Sequence, residues 1–262
     1  SLSLSLSFCS HLNLPPYTHT HTHIRSSRLA PSTYPPPHNT GSVVNGGGRS
    51  VRKQLKPHLA ALLQMLMAKI RNDPHQWVRF EAIHCVAAIC SAYESHVQEQ
   101  FHAIVAEGLA SAMVAGSRNC MRVRGHAASA AQIFARPGKC EEENLKPHAH
   151  ILLVALCNLL KTGTRSVQEE ALTAVACIAK VIEANFGPYY NEFMPGIKSI
   201  LGQAVTKENR PLQAKAIECL GLIAESVGPQ RFGADATAAM NLIMSLQGSG
   251  LPADDPRAPE LM

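Results

Sequence analysis

A short helical pattern returns four times along the chain at nearly constant spacing. Its first apolar position, which we call the repeat anchor, is Val78, Val123, Val167 or Leu212, at intervals of 45, 44 and 45 residues. Further apolar residues follow each anchor after four, eight and eleven positions: Ala82, Ala127, Ala171 and Ala216; Val86, Ala131, Val175 and Leu220; Ile89, Phe134, Ile178 and Ile223. These offsets lie on one stripe of an α-helix. Each copy therefore predicts an amphipathic helix whose stripe faces the core.

The period also predicts the fold class. A second apolar helical segment precedes each copy, and helix pairs that return every forty to fifty residues are typical of HEAT and armadillo arrays. The tetrapeptide at 55–58 recurs at 145–148, two repeat lengths later, which favours true internal repetition. We therefore predict an all-α protein, an α-solenoid of HEAT repeats with about four helix pairs and one extra helix. Such arrays act through their surfaces.

Proline, glycine and low-complexity segments divide the chain into three parts. Residues 1–52 contain alternating Ser-Leu and Thr-His runs, PPP and GGG, and are predicted to form a disordered N-terminal tail. Residues 53–247 are predicted to form the array, and residues 248–262 an acidic, proline-containing loop. The predicted units of the array are 55–93, 100–137, 145–186 and 189–228, with a partial unit at 230–247.

The start of the second helix receives two local predictions. Asp73 is expected to be its N-cap, with Pro74 in the first turn. Trp77 is expected to pack at the helix start rather than to form a binding pocket. Both predictions depend on where the helix begins.

Composition and charge exclude several classes of function. The hydrophobic content is 46% and the aromatic content only 5%, which suits closely stacked helices. The formal charge is +5, yet residues 51–262 carry 21 basic and 19 acidic side chains. A nucleic-acid-binding protein would gather basic residues on one face. No unbroken apolar stretch of about eighteen residues is present. We predict no direct nucleic-acid partner and no membrane partner.

No pattern of catalytic or metal-ligating residues is found. The eight cysteines form no C-x-x-C pair, and those in apolar helical runs are expected to be reduced core residues. His84 lies in the first predicted unit and His102 and His126 in the second, with no ligand-spaced carboxylate or cysteine beside them. Phosphate-binding, nucleophile-elbow and zinc-protease motifs are absent from the sequence. We predict that the chain is not an enzyme and holds no cofactor and no metal.

Two motifs carry a resemblance to a known family. The segment FGPYYNEFMP at 186–195, and AIECLGLI at 216–223 followed by Val227-Gly228, resemble the importin-beta (karyopherin-beta) nuclear transport receptors, most closely the importin-5 subtype. The residues Asp254, Asp255 and Pro256 resemble the start of the acidic stretch that follows these repeats in that subtype. The resemblance covers residues 52–262, and residues 1–51 match nothing in the family.

The resemblance implies a function and a set of partners. It implies a fragment from the middle repeats of a nuclear import receptor, which binds cargo proteins with basic localisation signals and carries them through nuclear pores. It further implies contacts with nucleoporins, and regulation by Ran-GTP chiefly through repeats absent from this chain. The expected location is cytoplasm and nucleus. The alternative is a HEAT-repeat scaffold subunit that assembles a phosphatase or another protein complex.

In such solenoids the second helices line the concave face, which places the candidate cargo-binding residues. Positions 2, 6, 9 and 13 after each anchor point away from the core stripe. They are Phe80, His84, Ala87 and Ser91; Gly125, Ser129, Gln132 and Arg136; Glu169, Thr173, Ala176 and Lys180; Ala214, Glu218, Gly221 and Glu225. Acidic residues here would pair with lysines of a basic signal. The predicted cargo-binding residues are Glu81, His84, Glu169, Glu170, Thr173, Glu218 and Glu225.

Overall fold

The computed structural model of the chain describes residues 52–114 and 119–247. The predicted tail up to residue 51 and the predicted loop at 248–262 lie outside the described residues. The chain divides into two compact units. The described part of the first unit, 52–58, ends in an exposed 3-10 turn at Lys56–His58. The described residues from Leu59 onward belong to the second unit.

The described part of the second unit is helical and contains no β-strand. Its α-helices are α1 Leu59–Asn72, α2 Gln76–Ala92, α3 His96–Gln100, α4 His102–Met113, α5 Met121–Phe134, α6 Glu142–Thr162, α7 Arg165–Ile182, α8 Tyr190–Leu201 and α9 Arg210–Gln247. A 3-10 segment, Glu183–Tyr189, joins α7 to α8. The short helix α3 was not predicted.

The helices pack as two parallel rows of neighbours. Within each repeat a first helix contacts a second helix: α1 with α2, α4 with α5, α6 with α7, and α8 with α9. The second helices also contact one another in the order α2, α5, α7, α9, and the first helices in the order α1, α4, α6, α8. This arrangement is the stacking of a repeat array, in which each unit covers the apolar face of the next. The predicted all-α HEAT solenoid is confirmed.

The core follows the predicted stripe closely. Of the sixteen stripe positions, all but Val78 are buried. Val78 is half-buried, since α2 is the first helix of the second-helix row among the described residues and lacks a neighbour on one side. The stripe therefore marks the seam between the two rows.

The opposite side of the second helices is less exposed than predicted. Ala87, Gly125, Ser129, Ala176 and Ala214 were expected to face solvent, and all five are buried. The reason is geometric: neighbouring second helices pack side by side, so that part of the non-stripe side is also covered, even on α2 and α9, which have one such neighbour each among the described residues. All five are small residues, which allow backbones to approach closely.

A repeated hydrogen bond closes the turn inside each repeat. The residue directly after each anchor donates to a carbonyl in the last turn, or just past the end, of the paired first helix, where helical carbonyls lack partners. Arg124 Nε donates to Met113 O at 2.8 Å, Gln168 Nε2 to Leu160 O at 2.7 Å, and Gln213 Nε2 to Gln203 O at 2.9 Å. The guanidinium of Arg79 donates to Asp73 O in the first repeat. This side-chain-to-carbonyl hydrogen bond thus recurs with the period of the anchors.

The prediction that Asp73 caps α2 is wrong. The helix begins at Gln76, and His75 occupies the N-cap position. Asp73 Oδ1 instead accepts the backbone N–H of His75 at 3.0 Å, and Oδ2 pairs with Lys69 Nζ at 3.1 Å. An aspartate side chain commonly accepts a hydrogen bond from the backbone N–H two residues later in the chain. Here this local turn forms instead of a helix cap. The His75 bond, followed by Lys69, holds the pKa of Asp73 below its ordinary value.

Helix α9 is interrupted at Gly228, which adopts φ 76° and ψ 170°. A positive φ of this kind suits glycine, and Pro229 follows it directly. The later segment, 229–247, is tied to α8 by Asp235, which accepts a hydrogen bond from Tyr190 Oη at 2.7 Å and pairs with Lys198. These two interactions hold the later segment of α9 against α8.

One segment among the described residues, Arg165–Leu201, is long and apolar enough to cross a membrane by length and composition. Half of its most apolar stretch is buried against the neighbouring helices, and α7 ends within it at Ile182. A buried core helix of an array has the same composition, which accounts for the signal.

Two glycines provide a matched test of how tightly the second helices pack. A Cβ added to Gly125 would lie 2.7 Å from Val167 Cγ2 on α7, whereas a Cβ at Gly221 would meet nothing within 4 Å. We expect Gly125→Ala to lower the free energy of unfolding by about 1–3 kcal/mol through overpacking. Gly221→Ala should raise it by about 0.5–1 kcal/mol, since alanine favours a helix. Urea unfolding followed by circular dichroism measures both, and equal effects of the two variants would contradict close contact between α5 and α7.

The Asp235 pairing predicts a pH-dependent contribution to stability. Lys198 and Tyr190 hold the pKa of Asp235 below its ordinary value of 3.8. The stabilisation is therefore complete above the ordinary value and is lost as the pH falls through the lowered one. We expect Asp235→Asn to lower the free energy of unfolding by about 1 kcal/mol near neutral pH. The difference in unfolding free energy between the variant and the parent chain should shrink below about pH 4. Unfolding curves at both pH values test this, and a difference independent of pH would count against the ion pair.

Candidate protein-binding surface

The predicted cargo-binding residues all lie on the second helices, but the structure does not bring them into one cluster. Glu81 and His84 are on α2, and Glu169, Glu170 and Thr173 are on α7. Glu218 and Glu225 are on α9, the direct neighbour of α7. Helix α5 lies between α2 and α7 in the row. The acidic positions of α7 and α9 therefore form one candidate patch, and those of α2 are separated from it.

The carboxylates of α9 already have basic neighbours. Glu225 pairs with Lys180, one repeat earlier, and Glu218 Oε2 pairs with Lys215 Nζ at 2.8 Å. Both glutamates are exposed, so these ion pairs contribute little to stability and exchange readily with solvent. A lysine from a bound protein would compete with Lys180 and Lys215 for the same oxygens.

Thr173 and His84 have roles that sequence reasoning did not foresee. The hydroxyl of Thr173 donates to the backbone carbonyl of Glu169 at 3.0 Å, so only its acceptor capacity faces outward. The ring of His84 stacks on His126 of α5, with centroids 5.7 Å apart. His126 in turn stacks on Phe80 at 4.0 Å. His84 is therefore part of a ring stack between α2 and α5 rather than an isolated polar side chain.

Helix α5 and the loop after it place basic groups beside this surface. Arg136 pairs with Glu94 at 2.6 Å, and Lys139 pairs with the same carboxylate at 3.2 Å. Arg122, at the start of α5, is exposed and lies over the aromatic rings of α2. The acidic patch of α7 and α9 is thus not continued on α5.

The expectation that Trp77 packs at the helix start is wrong in one respect. Trp77 does lie in the first turn of α2, but its side chain is 64% exposed. Its exposed indole faces Phe80 and Arg122, which sequence reasoning did not connect. Trp77 and Arg122 each stand one residue before a repeat anchor, 45 residues apart, and this shared position is the signal that would have linked them.

Three described thiols are shielded from solvent, and two imidazoles form a pair between first helices. Burial raises the pKa of Cys90 and of Cys140 to about 12, and that of Cys177 to about 11, so these thiols are poor nucleophiles at neutral pH. His102 Nδ1 lies 2.9 Å from His148 Nε2, a hydrogen-bonded pair joining α4 to α6. Within the described ranges no group of three or more potential metal ligands is found.

Comparison with known proteins agrees with this architecture. A sequence profile described as importin subunit beta-1-like TPR repeats matches residues 131–251. Importin subunit beta-3 of Saccharomyces cerevisiae is 30% identical over 194 residues, covering 74% of this chain and 17% of that protein. This chain thus spans about a fifth or less of the relatives it matches.

Solved structures give the same result. The crystal structure of a Kap121p mutant superimposes with a TM-score of 0.71 at 30% identity, over 82% of this chain and 20% of that one. Kap121p bound to Pho4p gives a TM-score of 0.70 at 29% identity, over 82% of this chain and 19% of that one. Sequence profile, curated relative and solved structures point to one group of proteins. The chain belongs to the importin-beta (karyopherin) family.

Proposed function

We propose that this chain is part of a nuclear import receptor and that its second-helix row binds basic segments of cargo proteins. The observation that carries the proposal is the placement of Glu169, Glu170, Glu218 and Glu225 on two helices in direct contact, α7 and α9. Carboxylates on neighbouring helices offer several charge-assisted hydrogen bonds to lysines spaced along one peptide.

The relatives support a protein-binding role. Solved structures of Kap121p include complexes with Pho4p, with the SUMO protease Ulp1p and with Nup53p. By analogy, the parent receptor binds cargo proteins and nucleoporins, moves between cytoplasm and nucleus, and is controlled by Ran-GTP chiefly through repeats outside this chain. The importin-5 subtype, the absence of nucleic-acid and membrane partners, and the absence of catalysis remain predictions.

Equilibrium binding tests the first step. A fluorescein-labelled peptide with five lysines in an extended segment is titrated with the chain at low salt, and an otherwise identical peptide with glutamines is the control. Saturable binding of the lysine peptide, weakened by added salt, is expected. Equal affinity for both peptides would contradict recognition of basic cargo.

The nucleotide state of Ran separates the import receptor from the alternative HEAT scaffold. A longer receptor that contains these repeats is loaded with basic cargo, and Ran-GTP or Ran-GDP is added. An import receptor releases its cargo with Ran-GTP only. A scaffold for a phosphatase or another complex keeps its partner in both cases, and that result would replace the proposal.

A further inference from the structure

An aromatic and cationic cluster lies where α2 and α5 meet, outside the acidic patch. We call it the Trp77–Arg122 platform, formed by Trp77, Phe80, Arg122 and His126. The guanidinium carbon of Arg122 is 4.9 Å from the indole centroid and 5.2 Å from the Phe80 ring centroid. Trp77 and Phe80 meet edge to face at 6.0 Å. Because His126 stacks on Phe80 at 4.0 Å, the rings are held in place before any partner arrives.

The platform borders an open cavity with an apolar floor. Its volume is about 270 Å³, and its lining residues are Gln76, Trp77, Phe80, Cys120, Arg122 and Val123. The side chain of Trp77 is 64% exposed, a large apolar area to leave in water. Partly exposed tryptophan next to arginine is the composition of interaction hot spots. The cavity offers room for one large apolar side chain against the indole.

Charge decides what else the partner must carry. No carboxylate of residues 52–114 or 119–247 lies within ion-pair distance of Arg122, whereas Arg136 and Arg165 each pair with a glutamate. The ring faces attract the cation without accepting conventional hydrogen bonds, so the N–H groups of the Arg122 guanidinium remain able to donate to a partner. A carboxylate fits those donors in a bidentate manner, and a lysine would be repelled.

We propose that the Trp77–Arg122 platform binds a protein segment in which an Asp or Glu stands beside a large apolar residue. The apolar side chain fills the cavity against Trp77 and Phe80, and the carboxylate pairs with Arg122. This inference does not rest on the proposed import function, because it concerns another part of the second-helix row and a partner of opposite charge.

Trp77 is the only tryptophan of the chain, so its fluorescence reports directly on the platform. The full chain is titrated with the capped peptide Ser-Gly-Phe-Glu-Gly-Ser and with two controls, in which Lys replaces Glu or Ala replaces Phe. We expect a saturable change of tryptophan emission with the first peptide and at least about fivefold weaker binding of each control.

Variants of Arg122 test whether its guanidinium pairs with the carboxylate of the peptide. Arg122→Gln is expected to weaken binding of the Phe-Glu peptide about tenfold, and Arg122→Glu to shift the preference to the Phe-Lys peptide. Arg71→Gln, at the exposed end of α1, is the matched control and should leave affinity unchanged. The helical circular dichroism signal verifies that each variant is folded. Arg122→Lys keeps the positive charge but loses the bidentate guanidinium, so its affinity for the Phe-Glu peptide should lie between those of the parent chain and Arg122→Gln.

Three results with the Phe-Glu and Phe-Lys peptides would overturn the proposal. They are no saturable change of emission with the Phe-Glu peptide, equal binding of the Phe-Glu and Phe-Lys peptides, and unchanged affinity in a folded Arg122→Gln variant. Binding of the five-lysine peptide should be no weaker in Arg122→Gln than in the parent chain. Loss of that binding would instead assign the platform to basic segments and would also overturn the proposal, while leaving the import function standing.

Discussion

Replacing Phe134 with alanine is expected to lower the free energy of unfolding by about 3–5 kcal/mol, as for other fully buried aromatic residues. Phe134 ends α5, is completely buried, and occupies the last stripe position of the second repeat. Its ring fills the seam between the rows, so that its removal leaves a cavity in the centre of the array. Urea unfolding monitored by circular dichroism measures the loss.

Met240→Ala serves as the matched control, because Met240 is 57% exposed on the later segment of α9. A change within about 0.5 kcal/mol is expected there. Phe134→Leu, which retains most of the apolar volume, should fall between the two. If Phe134→Ala lowers the free energy of unfolding by less than about 1 kcal/mol, the stripe residues do not provide the main packing between the two rows of helices.

Reversal of three acidic residues is the second large expected effect. The variant Glu169→Lys, Glu170→Lys, Glu218→Lys should bind the five-lysine peptide at least about tenfold more weakly at low salt. Each replacement substitutes repulsion for attraction on α7 or α9, and Lys215 and Lys180 are already close to that patch. Fluorescence anisotropy at about 50 mM and about 300 mM salt measures the difference, which should shrink as screening increases.

The matched control carries the same change of net charge elsewhere. Glu99→Lys, Glu107→Lys, Glu143→Lys alters exposed residues on α3, α4 and α6, outside the second-helix row. It should retain most of the affinity, because only long-range charge is changed. If both triple variants bind equally, or if the first binds as tightly as the parent chain at low salt, the acidic patch is not the binding site.

The periodic apolar pattern was sufficient to predict the fold. The details that it could not predict depend on contacts between helices and on local hydrogen bonds. The anchors and their stripe residues identify the core because one face of every second helix is covered. The pattern could not show that Ala87 and Gly125 are also buried, since that depends on how closely neighbouring second helices approach. The choice of His75 over Asp73 at the start of α2 depended on one competing hydrogen bond.

Interactions between successive repeats explain what was missed at the surface. Lys180 and Glu225 are 45 residues apart, Tyr190 and Asp235 are 45 apart, and Gln76 and Cys120 are 44 apart. Each pair joins nearly equivalent positions of adjacent units. Treating every helix face by itself therefore overlooked partners one period away, including Lys180, which pairs with the predicted residue Glu225.

Mapping a bound basic peptide onto the helices tests the central claim most directly. The five-lysine peptide carries a photoreactive benzoylphenylalanine at its centre, is cross-linked to the chain, and the adducts are located by mass spectrometry. We expect adducts on α7 and on the 210–227 part of α9, suppressed in the Glu169, Glu170 and Glu218 reversal variant. Adducts confined to the first helices α1, α4, α6 and α8 would contradict binding by the second-helix row.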